Sequence, residues 1–137
     1  MSLDNFSNNL FSVTVNGRTI SDWGETPTPV TDEPIDQKST LRRGQSKRAI
    51  RLDRQTPGRR VTLNLNPGSP DSAYISGLMN SNANIIYTST QIGTLEADIG
   101  TEGVIVNDGP KGRGGDTITD DQYIIEFNNW KGTKGGT

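Results

Sequence analysis

The chain has no cysteine and no histidine. The first absence excludes disulfides and thiol nucleophiles, the second histidine-dependent acid–base catalysis, and the two together the Cys/His zinc sites. Apolar residues are scarce as well, at 29% of 137 positions, and no stretch approaches the apolar length of a membrane span. The opening MSLDNFSNNL lacks the basic start and apolar run of a signal peptide, so the expectation is a protein made and used in aqueous, cytoplasm-like surroundings. What the chain holds in quantity is turn-forming, for 16 glycines and 7 prolines favour strands and turns over helices. One domain is expected at this length. A sheet with so little core material gains stability when other copies of the chain complete its edges, which makes a homo-oligomer the expectation.

The most legible stretch is Arg59 to Tyr87. Val61, Leu63 and Leu65 alternate with Thr62, Asn64 and Asn66, the two-residue period of a half-buried strand. Asn66-Pro67-Gly68 breaks it, and Ser69-Pro70-Asp71 reads as a helix start: a capping hydroxyl, proline at the first helical position and a carboxylate at the positive end of the dipole. Tyr74, Ile75, Leu78 and Met79 make one apolar stripe over a short helix of about residues 70–80, too short to stand alone in water and therefore expected to pack on a sheet.

Elsewhere the chain reads as strands. Phe11, Val13 and Val15 alternate before the hairpin signal Asn16-Gly17, and Arg18 to Trp23 is the expected return. Prolines at 27, 29 and 34 predict an extended connection rather than a central strand, with a strand near Ile35 to Ser39 after it. A loop is expected over 40–46 and a strand over 47–55, a helix being the alternative. Thr56-Pro57-Gly58 then predicts a tight turn that would join Arg48–Leu65 into a hairpin with Arg54, Arg59 and Arg60 near its tip. Asn84 to Gln91 is a strand, Glu96 and Asp98 give the next one an acidic outer face against Leu95, Ala97 and Ile99, and Asp121 to Trp130 is the last. The sum is seven to nine strands and one helix: a mainly β, antiparallel sandwich or barrel-like sheet over residues 10–131, flanked by a polar arm at 1–9 and a flexible tail at 132–137.

Charge is unevenly spread. From Lys38 to Arg60 nine basic residues face one acidic one, a net +8, while the remainder of the chain carries −10. Such separation points to complementary surfaces. The basic segment has a nucleic-acid reading, weakened by the lack of any aromatic residue between Trp23 and Tyr74 on which bases could stack. Its bland reading is a solvated face. The glycine-rich loop Gly109 to Gly115 lacks the Lys-Ser/Thr and following helix of a phosphate loop. Asp116, Asp120 and Asp121 are not spaced as a calcium loop. No cofactor, metal or catalytic residue is expected, and the chain reads as a non-enzyme.

In the order of its elements the chain resembles the tail tube proteins of contractile-tailed bacteriophages, relatives of type VI secretion inner-tube proteins. The residues that carry the likeness are the hairpin FSVTVNGRTISDW, the strand VTLNL, the helix SPDSAYISGLMNSN and the late strand YIIEFNNW. The resemblance implies a structural virion protein assembled in the host cytoplasm. Its hexameric rings would stack into a tube that encloses the tape-measure protein, contacts sheath and baseplate, and passes DNA without sequence-specific binding. The alternatives are another ring-forming tail component, such as a terminator or completion protein, and a monomeric nucleic-acid-binding β domain. A channel for a polyanion should not present rows of cations, because neutralised phosphates would hold the DNA in place. On that ground Glu96 and Asp98 are the candidate lumen face, and Arg42, Arg43, Lys47, Arg48, Arg51, Arg54, Arg59 and Arg60 the candidate ring-stacking or sheath interface.

Overall fold

The computed structural model describes residues 10–55 and 57–135, so the arm expected at 1–9 and the last two residues of the expected tail lie outside the described residues. The fold is mainly β, with one helix. In chain order come β1 (Phe11–Val15), β2 (Arg18–Ile20), β3 (Val30–Pro34), β4 (Ser39–Arg43), β5 (Ala49–Asp53), β6 (Arg59–Leu65), α1 (Pro70–Asn80), β7 (Ile85–Gln91), β8 (Glu96–Asp108) and β9 (Asp121–Thr133). Seven strands form an antiparallel sheet in the order β2-β1-β7-β8-β9-β6-β3, and β4 and β5 form a sheet of their own.

The large sheet curls until its two ends nearly meet. Trp23, just past β2, bridges to Leu65 of β6, and the Gly24 amide donates to Asn64 O at 3.0 Å. This is a barrel-like curl, short of a closed barrel. The alternating residues of β1, β6, β7 and β9 point into it, and Val13, Val15, Val61, Leu63, Leu65, Ile85, Tyr87, Ile125 and Phe127 are buried. Helix α1 plugs one opening: Ile75 is fully buried, while Tyr74, Leu78 and Met79 pack partly buried against the core. Ser69 caps the helix by accepting from the Ser72 amide, and Pro70 stands in its first turn.

Four expectations are corrected. Val30–Pro34 is a strand: β3 pairs with β6 as an edge, where proline's missing N–H leaves no gap in the ladder. Ser39–Arg43 is strand β4 where a loop over 40–46 was expected, and the strand near Ile35 begins only at Ser39. The expected Arg48–Leu65 hairpin does not form, because β5 pairs with β4 whereas β6 pairs with β3 and β9. Finally, β9 runs on to Thr133, into the stretch assigned to the tail, since the long β8 offers it partners as far as Ala97.

β8 itself is one strand of 13 residues. Tyr87 pairs with Gly100 and Ile85 with Gly103, so β8 carries one extra residue there, accommodated by Glu102 at φ 54°. This bulge bends the strand around the core.

Candidate functional site

The charge concentration forms a physical object. β4 and β5 pair from Ser39↔Asp53 to Arg43↔Ala49, and the ladder extends one step through the Arg54 amide to Lys38 O at 2.8 Å. Its tip turns through Gly44 to Arg48, with Lys47 in the left-handed region at φ 68°. Pairing registers place Thr40, Arg42, Ile50 and Leu52 on one face and Leu41, Arg43 and Arg51 on the other.

Neither face is covered, and Leu41, Ile50 and Leu52 are 63%, 41% and 55% exposed. Full burial of such a side chain is worth about 1.5–3 kcal/mol, and a lone two-stranded hairpin is marginal in water. Uncovered apolar residues on so slight a scaffold make this hairpin the candidate contact surface. Among the described residues Arg42, Arg43, Lys47 and Arg48 enter no ion pair, while Arg51 and Arg54 reach Asp53 and Asp36 only at 3.9 Å.

Arg59 and Arg60 belong elsewhere. They sit in β6, where Arg59 pairs with Asp32 of β3, and its guanidinium lies 6.0 Å from the Trp130 ring centre. Arg60 reaches Glu126 of β9 at 2.7 Å and Glu33 of β3 at 3.2 Å. The hydrogen bonds it donates to Glu126 and Glu33 hold its guanidinium above its ordinary pKa. These two cations stitch three strands of one subunit together, so the eight candidate interface cations divide into six on or beside the hairpin and two in the sheet. The signal for this was the Asp32-Glu33 pair, Glu33 lying directly opposite Arg60 and Asp32 one diagonal step from Arg59, but it was hidden by three nearby prolines.

The acidic face is also differently placed. Ser89↔Asp98 and Tyr87↔Gly100 put Asp98 on the core side of β8, with Ser89 Oγ 3.4 Å from its carboxylate, and Glu96 shares that side. Leu95 and Ile99 are the outward residues, 69% and 50% exposed. The alternation is read correctly and its phase inverted, because Gly100, facing the aromatic trio Tyr87, Phe127 and Trp130, sets which side is in. Burial first, and then the charges of Asp32 and Glu96, push the Asp98 carboxyl above the usual range.

Two of the concave regions among the described residues lie away from the hairpin and near Asp120 and Asp121. One, about 370 Å³, lies beside the start of α1 and includes Ser72, Lys111, Arg113 and Asp121. Its polar groups satisfy one another: Ser72 Oγ donates to Asp121 at 2.6 Å, and Arg113 donates to the same carboxylate group at 2.8 Å. The other is an open groove of about 460 Å³ lined by Glu25, Thr26, Asn64, Pro110, Ile118 and Asp120. Asp120 accepts from the Glu25 amide, and Ile118, which shares the lining with both acids, is exposed. No helix among the described residues is long and apolar enough to cross a membrane.

The geometry is a curled sheet with α1 packed against its core and a separate, exposed cationic hairpin. No protein-family model and no curated protein matches the sequence. Among solved structures the chain is similar to one in the PVC sheath/tube terminator of an extracellular contractile injection system in its extended state, at 12% identity and TM-score 0.60, over 95% of this chain and 97% of that one. A chain of the PVC sheath-tube complex matches at 11% identity and TM-score 0.60, over 94% and 91%. A chain of the anti-feeding prophage cap, which terminates its tube, matches at 11% identity and TM-score 0.55, over 98% and 95%. At these identities the likeness is one of fold, and it extends over nearly the whole of each chain.

Proposed function

We propose that the chain is a structural, ring-forming component of a contractile tail or injection apparatus, placed at the end of the tube as a terminator or cap. The observation that carries this reading is the fold likeness over nearly full length on both sides, two of the three similar structures being tube-ending assemblies. The small apolar core and the uncovered hairpin support it, since both gain from neighbours. The role is mechanical, and its partners are other copies of the chain together with tube and sheath proteins. The repeating inner-tube subunit is the second reading, supported by the equal likeness to the sheath-tube complex.

Negative-stain imaging of the purified protein separates the two. Single rings are the outcome for a terminator. Long hollow filaments would favour the tube subunit instead, and a protein that stays monomeric at every concentration would remove both.

A further inference from the structure

We infer that the β4–β5 hairpin docks into the acidic groove at Glu25, Ile118 and Asp120 of a second copy of this chain. The inference rests on the assembly reading above and names the two surfaces that meet.

The argument begins with topology. The hairpin leaves β3 at Pro34 and returns to β6 at Arg59, which pair with each other at one end of the sheet. The groove is built around Asn64, at the opposite end of β6 beside the Leu65↔Asp121 pair. At about 3.3 Å per residue the two sites stand roughly 20 Å apart along the strands. No residue of the hairpin lines the groove of its own chain, so the proposed match is one between copies.

The chemistry agrees from both sides. The hairpin offers aliphatic side chains flanked by guanidinium groups that enter no ion pair among the described residues: Leu41 beside Arg43 on one face, and Ile50 and Leu52 beside Arg42 on the other. The groove offers an exposed isoleucine in one lining with the acids Glu25 and Asp120. Apolar meets apolar at the centre and cation meets anion at the rim, the arrangement that fixes register and excludes wrong partners. Because the two surfaces differ, the contact is heterologous. Repeated around an axis it closes a ring, and without closure it propagates.

A charge-exchange experiment tests this. The double variant Arg42→Glu/Arg43→Glu reverses the hairpin, and Glu25→Lys/Thr26→Lys reverses the groove; all four positions are exposed, so at concentrations too low for association thermal unfolding should match the parent protein. Sedimentation velocity should find each variant alone at least about tenfold weaker in self-association. A one-to-one mixture should recover association, since each reversed surface then meets its complement. Single variants Leu41→Cys and Ile118→Cys, mixed and oxidised, should give a cross-linked dimer, which is clean to read because the chain has no cysteine of its own.

If the parent assembles and the hairpin variant assembles equally well, the docking inference fails and the assembly reading stands. The same holds if the mixture stays apart. A monomeric parent defeats both. Retention of duplex DNA by a monomeric parent, lost in the hairpin variant, would reassign the hairpin to nucleic acid.

Discussion

Asp71, in the first turn of α1, accepts from Arg18 Nε at 3.0 Å and from the Ser21 and Asp22 amides at 2.9 and 3.0 Å. One carboxylate thus ties the helix to β2 and to the segment that follows it. Burial alone would raise this carboxyl, but the two amides and the guanidinium outweigh it and hold it below the usual range. Asp71→Asn should cost about 2 kcal/mol, the scale of lost hydrogen bonds to a charged group. A depressed carboxyl contributes stability that is fully present above its unfolded pKa and is lost as pH falls through its folded value. Thermal unfolding of parent and variant should therefore converge in acid.

Two glycines predict opposite outcomes. A β-carbon at Gly103 would overlap the Phe127 ring and meet Ile85 O at 3.0 Å, whereas one at Gly77, on the exposed side of α1, would meet nothing. Gly103→Ala should destabilise by about 1–3 kcal/mol through overpacking. Gly77→Ala should stabilise by about 0.5–1 kcal/mol through helix propensity. Urea unfolding measures both, and a Gly103→Ala variant as stable as the parent would remove the tight aromatic seat from the account.

Much of the fold was legible in the sequence where local rules act alone. The period of Val61, Leu63 and Leu65 and the Ser69-Pro70-Asp71 start locate the body of β6 and the beginning of α1, because strand alternation and helix capping are decided within a few positions. The site was less legible, since its meaning depends on pairing between distant segments. Arg59 and Arg54 look alike in the sequence, yet one is locked against Asp32 and the other stands at the base of a free hairpin. The phase of β8 was invisible for the same reason: alternation shows that Asp98 and Ile99 face opposite ways, and only the aromatic trio opposite Gly100 decides which way is in.

That division of the basic residues makes a prediction of its own. Arg60→Glu should lower the melting temperature, because it sets like charges against Glu126 and Glu33 and unpicks the β3–β6–β9 ladder. At concentrations too low for association, Arg42→Glu should leave the melting temperature unchanged, as Arg42 pairs with no acid among the described residues. Differential scanning calorimetry on the two variants decides the matter. Equal melting temperatures would mean that Arg60 contributes as little to the fold as the hairpin cations do.

Asp98 should respond to pH in the opposite sense to Asp71. It is part-buried on the core side of β8, with Ser89 of β7 as its hydrogen-bond donor, Glu96 on its own strand, Asp32 of β3 as a further negative charge and Arg59 of β6 as the balancing cation. Burial and the two neighbouring carboxylates outweigh Ser89 and Arg59, so the folded state holds the proton more tightly than the unfolded chain does. A raised carboxyl contributes stability that is fully present below its unfolded pKa and is lost as pH rises through its folded value. Asp98→Asn, neutral at every pH, should therefore raise the melting temperature at neutral pH and bring no gain in acid. Arg59→Gln removes the cation that offsets the cluster and should make the parent's loss of stability with rising pH steeper, an effect absent when Asp98→Asn is combined with it. Melting curves from acid to neutral pH on the three variants measure this. An Asp98→Asn protein whose advantage over the parent grows as the pH falls would show the carboxylate to be stabilised by Ser89 and Arg59 rather than strained by Asp32 and Glu96.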